Sequence, residues 1–275
     1  MKYFLTKKST IRLKKFFFKF LGTNLLKFFS DYNLKTIITT WDNGSVFNTL
    51  QGFSMLSLSS NTVYYVVDSN KIFMFNDNWT FLGYKLLGSP NYIISDGINM
   101  FITGDSRLLK TDGNLNILNQ YNAASSPHYR GIYYNSTTGL IYVAAYWLTA
   151  IHVFDTNLVL TGNISTKNNA PYSISGYNGQ LYVGTYSGSI LVIFNSTMID
   201  TFNGCYNNLA IVNFITFDSF KNMATICSNN QMYLYDSIGN FNNKSIATLS
   251  NPGYIGFDSK RRFVLISSKQ VSLYS

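Results

Sequence analysis

The chain has no glutamate: all twelve of its acidic side chains are aspartate, in 275 residues. Helices draw on Glu, Lys, Ala and Leu, whereas Tyr, Phe, Ile, Val and Thr suit strands. A chain without Glu, with 17% aromatic residues, therefore leans to an all-β fold. Charge of either sign is scarce, with Asp, Lys and Arg together at 12%, about half the usual share. Two histidines, His128 and His152, are too few for a His-built metal cluster. Two cysteines, Cys205 and Cys227, have no metal-ligand spacing. No apolar run approaches the roughly 20 residues of a membrane span.

A formal net charge of +9 suggests a nucleic-acid or anionic-membrane binder. Its distribution argues otherwise. Residues 1–29 hold eight Lys or Arg and no acid, while residues 30–275 hold thirteen against twelve Asp. The basic character belongs to a tail, and the nearly neutral body is a poor partner for phosphate backbones. The aromatic tail is interrupted by Lys19 and Lys27 and lacks a small-residue cleavage site. Three readings stay open for it: a segment contacting a membrane surface, a poor targeting peptide, or the stub of a longer chain.

The positive signal is a repeat. The phrases TVYYVVD (62–68), NMFITGD (99–105), LIYVAAY (140–146), QLYVGTY (180–186), NMATICS (222–228) and RFVLISS (262–268) recur about every 40 residues. A second apolar run follows each after a short break, as in KIFMFN, AIHVFD and SILVIFN. Five of the six lead into a third run, and a fourth precedes the phrase, as in NYIISD and YSISGYN. Four short strands per period, separated by turn residues, is the pattern of propeller blades. A β-sandwich needs no fixed period, and β-helix coils are much shorter. The last copy ends at Ser275 without its outer strand, and residues 33–41, NLKTIITTW, match the missing piece. The expectation is an all-β, six-bladed β-propeller over residues 30–275, closed by an N-terminal strand that completes the last blade.

The segments at 126–162 and 63–83 resemble the NHL and YVTN type of propeller repeat, in which Pro, an apolar strand, a Gly turn, LYV and IxVFD follow one another. The DSNKI stretch at 68–72 is similar to part of the NHL pattern, while the other copies depart from it. The WD40 signatures are missing. The resemblance implies scaffolding, recognition of protein, RNA or cell-surface ligands, or occasionally hydrolysis in the central channel. Fold alone does not choose among these.

Metal-dependent hydrolases of the six-bladed type resemble one another in using Glu, Asn and Asp ligands, and this chain has no Glu. Asp68, Asp105, Asp112, Asp155 and Asp236 end strands, and Asp96, Asp218 and Asp258 end first strands. At such positions Asp accepts backbone N–H groups in tight turns. A sialidase would need an Arg triad and Asp boxes. His152 lies mid-strand, where a satisfied, partly buried ring is expected. No cofactor or metal is therefore assigned.

Four inner strands open with Pro followed by Tyr: Pro90/Tyr92, Pro127/Tyr129, Pro171/Tyr172 and Pro252/Tyr254. Those tyrosines either line a mouth where a ligand stacks or pack between blades. The loop AASSPHYR (123–130) shares a face with the break after Trp147, so His128, Tyr129, Arg130 and Trp147 can converge as a binding cluster. The expected function is a non-enzymatic recognition module for a protein, peptide or glycan. The alternative is a channel-centred metal-dependent hydrolase. Cys205 and Cys227 fall on one face, one blade apart, and a disulfide is geometrically conceivable if their Cα atoms lie within about 7 Å. N-glycosylation sequons at Asn78, Asn135, Asn163, Asn195 and Asn243 are about as frequent as composition alone generates.

Overall fold

A computed structural model describes residues 34–38, 50–57, 62–205, 210–217, 223–235, 241–243, 252–257, 263–267 and 270–274. The tail 1–29 and Asp218, Asp236 and Asp258 lie outside them. The described strands form six four-stranded antiparallel sheets in a β-propeller arrangement. Sheet I is β2 (Leu50–Ser57), β3 (Thr62–Asp68), β4 (Lys71–Phe75) and β5 (Phe81–Leu86). Sheet II is β6 (Pro90–Ser95), β7 (Met100–Gly104), β8 (Arg107–Thr111) and β9 (Ile117–Asn122). Sheet III is β10 (Tyr129–Asn135), β11 (Leu140–Ala145), β12 (Ala150–Phe154) and β13 (Leu160–Ser165). Sheet IV is β14 (Pro171–Tyr177), β15 (Gln180–Thr185), β16 (Ser189–Phe194) and β17 (Thr197–Asn203). Sheet V is β18 (Val212–Phe217), β19 (Met223–Cys227), β20 (Gln231–Tyr235) and β21 (Phe241–Asn243). Sheet VI combines β22 (Pro252–Phe257), β23 (Phe263–Ser267) and β24 (Gln270–Tyr274) with β1 (Leu34–Ile38) from the start of the body.

Five sheets are thus built from four consecutive strands, and the sixth borrows its outer strand across the whole body. The strand expected within residues 33–41 is β1, antiparallel to β24 with Leu34 opposite Tyr274 and Ile38 opposite Val271. Neighbouring sheets touch through their first strands, and β2 also touches β22, so the last sheet meets the first.

The core lies between sheets rather than within one. Tyr65, Val67 and Ile72 of sheet I meet Ile93, Met100 and Ile102 of sheet II. Phe101 and Leu108 of sheet II meet Ile132, Val143 and Phe154 of sheet III. Val264 and Ile266 of sheet VI pack on Phe53, Tyr64 and Phe75 of sheet I. A middle strand is therefore covered on both faces, which is why β7 and β12 are buried at every position and are mostly apolar, with Thr103 and His152 the polar exceptions. Each fully buried large side chain contributes about 1.5–3 kcal/mol. The fourth strands face outward, and Leu82, Leu86, Ile117 and Leu118 are exposed.

Turn chemistry sets the strand ends. Asp112 Oδ1 accepts the N–H groups of Asn114 and Asn116 at 2.9 and 2.8 Å, and Asp155 Oδ1 those of Asn157 and Val159 at 2.8 and 2.9 Å. Asp96 takes Ile98 and Asn99 in the same way. The fourth turn residue, Leu115 or Leu158, is left-handed (φ 59° and 64°) yet buried. The acceptor thus pins a strained backbone that drops an apolar side chain between sheets.

One irregularity recurs in all six sheets. Near its entry, each first strand has one residue more than its partner. The ladder skips Gln51, Asn91, Tyr172, Asn213 and Gly253, and in β10 it skips Arg130 and Gly131 against the single Ala144. Such a bulge bends the strand and re-aims the side chain it frees. Gly131 suits the crowding: a Cβ there would lie 2.6 Å from Ser173 Cα.

Candidate functional site

The turns between second and third strands share a face with the connections between sheets. Leu87 N–H donates to Asn70 O, Ala123 N–H to Ser106 O, Thr166 N–H to Thr149 O and Tyr186 N–H to Ala170 O. This upper face carries a continuous cluster across sheets II, III and IV.

At its centre the chain before β10 turns through His128, which is left-handed (φ 47°). Trp147 N–H donates to Pro127 O at 3.1 Å and Tyr146 N–H to His128 O at 3.3 Å, fastening a 3₁₀ turn (Tyr146–Leu148) against that loop. The His128 and Trp147 rings stack 4.6 Å apart at 14°. Trp147 remains 63% exposed, so one ring face is covered and much of the rest meets solvent. His128 Nδ1 lies 3.4 Å from Asp105 Oδ1, off hydrogen-bond geometry, an ion pair only when the imidazole is protonated.

Beside it the bulge residues join hands between sheets. Arg130 Nη1 donates to Asn91 Oδ1 at 3.1 Å, and the guanidinium lies 5.4 Å over the Tyr172 ring. Tyr172 meets Tyr146 edge-on at 6.1 Å, and Tyr146 meets the half-exposed Tyr186 at 5.6 Å. Asn91 is buried, its amide donating to Tyr129 O at 2.7 Å. Thr103 Oγ1 donates to Arg130 O at 2.9 Å, which fixes the strand beneath the guanidinium.

The expected site residues therefore separate. His128, Trp147, Arg130 and Tyr172 come together. Tyr129 is fully buried and supports the cluster from below. Tyr92 and Tyr254 sit deeper, around the axis. The Tyr92 hydroxyl reaches from sheet II to Asn213 O of sheet V at 2.7 Å, and burial raises its pKa above the ordinary value, so it stays a donor. The Tyr254 ring packs tilted against Phe214 at 4.2 Å and against Phe53 at 5.4 Å. The four Pro–Tyr pairs do not form one ring of equivalent tyrosines, because Tyr172 follows its Pro directly and occupies the bulge, whereas Tyr92 and Tyr254 come one place later.

Asn91, Asp105, Tyr146 and Tyr186 belong to the cluster and were not expected there. Asp105, expected to cap a turn, faces His128 and takes the Asn91 amide at 3.4 Å. Tyr146 and Tyr186 close the third and fourth copies of the repeated phrase, and this equivalence was the available signal. Among the described residues no three His, Cys, Asp or Glu side chains group as ligands for a metal ion.

His152 is buried, and its Nδ1 lies 2.8 Å from the Tyr129 hydroxyl. Burial lowers its pKa below the ordinary 6.5, which suits a neutral ring accepting the tyrosine proton, a tautomer assigned from its partner. The unfolded chain takes a proton near pH 6.5 and the folded chain only at lower pH. Folding stability should thus fall as pH drops from 6.5 toward the lowered value and level off beneath it. Urea unfolding of the natural chain should show a steeper decline over that window than His152→Gln; parallel curves would refute the assignment.

A comparison with protein-family models finds no match to this chain. A comparison with curated proteins finds no similar one.

Proposed function

We propose that the protein is a six-bladed propeller of the recognition type, binding a protein, peptide or glycan on its upper face. The resemblance of 63–83 and 126–162 to NHL and YVTN repeats supports the blade count, as does the pairing of β1 with β24. The observation that carries the reading is Trp147: a large, solvent-facing ring held on His128 by stacking and on Pro127 by a backbone hydrogen bond. A pre-positioned aromatic loses little entropy on binding. The neighbouring Arg130 guanidinium and Asp105 carboxylate supply directed polar contacts, with Asn91 holding both from beneath, and Trp and Arg are common at hot spots. Tyr92, crossing between opposite sheets, takes up space that a channel-centred reaction would need.

The test begins with peptide and glycan arrays probed with the full chain, followed by affinity measurements on Trp147→Ala. Truncating a central Trp typically costs about 2 kcal/mol, roughly a 30-fold loss of affinity. The melting temperature should barely move, because an exposed ring contributes little to the packing between sheets. Unchanged affinity with a large loss of stability would make Trp147 a structural residue and overturn the site.

A further inference from the structure

We propose that the chain is N-glycosylated at Asn135 and Asn195, on the lower face, opposite the recognition cluster. Two independent observations carry this. The first is redox history. Cys205 and Cys227 form a disulfide with Cα atoms 6.0 Å apart, and both residues are fully buried. Such a bridge marks a chain that folds in an oxidising compartment, where each thiol gives up a proton and an electron to a thiol–disulfide oxidant. In cells with a secretory route, that compartment also holds the machinery for Asn glycosylation.

The second is placement. Both sites read Asn-Ser-Thr, and both sit in turns of the lower face, one on each of two adjacent sheets. Asn195 and Ser196 are the two residues of the β16–β17 turn, both exposed and left-handed (φ 46° and 62°). Asn135 ends β10, and its Oδ1 accepts the N–H of Thr137 at 3.0 Å and of Thr138 at 3.4 Å. That engagement uses the amide oxygen. The nitrogen Nδ2, which would receive the sugar, has no hydrogen bond among the described residues. The remaining sequons leave the upper face clear: Asn78 lies in the β4–β5 turn of the lower face, and Asn163 and Asn243 lie on the outer strands β13 and β21. None of these falls on the face that bears Trp147. Bulky, hydrated modifications would then cover the underside and leave the cluster open.

The covalent step forms a bond from Asn Nδ2 to C1 of an oligosaccharide. The C1–oxygen bond to a lipid pyrophosphate carrier breaks, the carrier leaves as the pyrophosphate, and the amide nitrogen loses one proton. The test uses the full chain purified from the cells that make it. Treatment with a peptide-N-glycosidase should lower its apparent mass and convert Asn135 and Asn195 to Asp, read by peptide mass spectrometry. Expressed in the same cells, Asn135→Gln and Asn195→Gln should each remove one step of the mass shift while the Cys205–Cys227 bridge still forms. Unmodified Asn at both positions in the native chain would overturn the proposal, whatever the state of the cysteines.

Discussion

A chain beginning at residue 43 should lose cooperative folding, whereas one beginning at residue 30 should keep it. The difference is β1. Its four paired positions with β24 cover the edge of sheet VI and tie the start of the body to its end. Losing that ladder, at about 1 kcal/mol net per hydrogen bond, removes on the order of 4 kcal/mol. Domains have only about 5–15 kcal/mol in hand. The deletion would also expose the edge of β24, where Val271 and Ser272 are buried, as a template for pairing with other chains. Urea unfolding of the 43–275 chain should give a broad, low-midpoint transition and a tendency to associate, against a single sharp transition for 30–275. A stable, monomeric, cooperative 43–275 chain would mean that sheet VI stands without its clasp.

Reduction of the Cys205–Cys227 bridge should be the other large loss. The bridge links the connection leaving β17 to the end of β19 across 22 residues. It ties sheet IV to sheet V where the buried Thr225 hydroxyl also donates to Gly204 O at 2.8 Å. Closing a loop of that length in the unfolded chain is worth about 3 kcal/mol on the chain-entropy account. For a domain of this size that corresponds to roughly 5 °C in melting temperature. Cys205→Ala with Cys227→Ala should melt lower by that amount and become insensitive to reductant. The natural chain should show no titratable thiol when denatured without reductant. Two free thiols in that assay would refute the bridge.

Most of the architecture was legible because each sheet solves the same burial problem. The middle strands must be apolar on both faces, so LIYV-like phrases recur at the sheet period, and the turn aspartates at Asp112 and Asp155 mark the strand ends. The clasp was legible because a strand pattern was missing at one end and spare at the other. The candidate site was half legible. His128, Arg130 and Trp147 lie on one connection and the turn facing it, so face arithmetic brings them together. The bulge was not legible: one extra residue inside a strand changes which side chain faces the mouth without changing composition or apolar pattern. That is why Tyr172 falls with Arg130 while Tyr92 and Tyr254 fall inward. Asp105 escaped for a related reason. As a strand-end Asp it resembles its turn-capping counterparts, and only the apposition of the next loop turns its carboxylate toward His128.

Tyr92 has a mechanical consequence. Its hydroxyl bond to Asn213 O joins sheets II and V, which are not neighbours, so the molecule carries a cross-tie as well as the seams between adjacent sheets. A hoop of wedges held only at its seams can ovalise, with opposite wedges drifting apart while neighbouring contacts persist. A tether between wedges that are not neighbours opposes that breathing mode directly. Distortion of the upper face would then have to stretch that hydrogen bond, and the cluster around Trp147 inherits stiffness from sheet V.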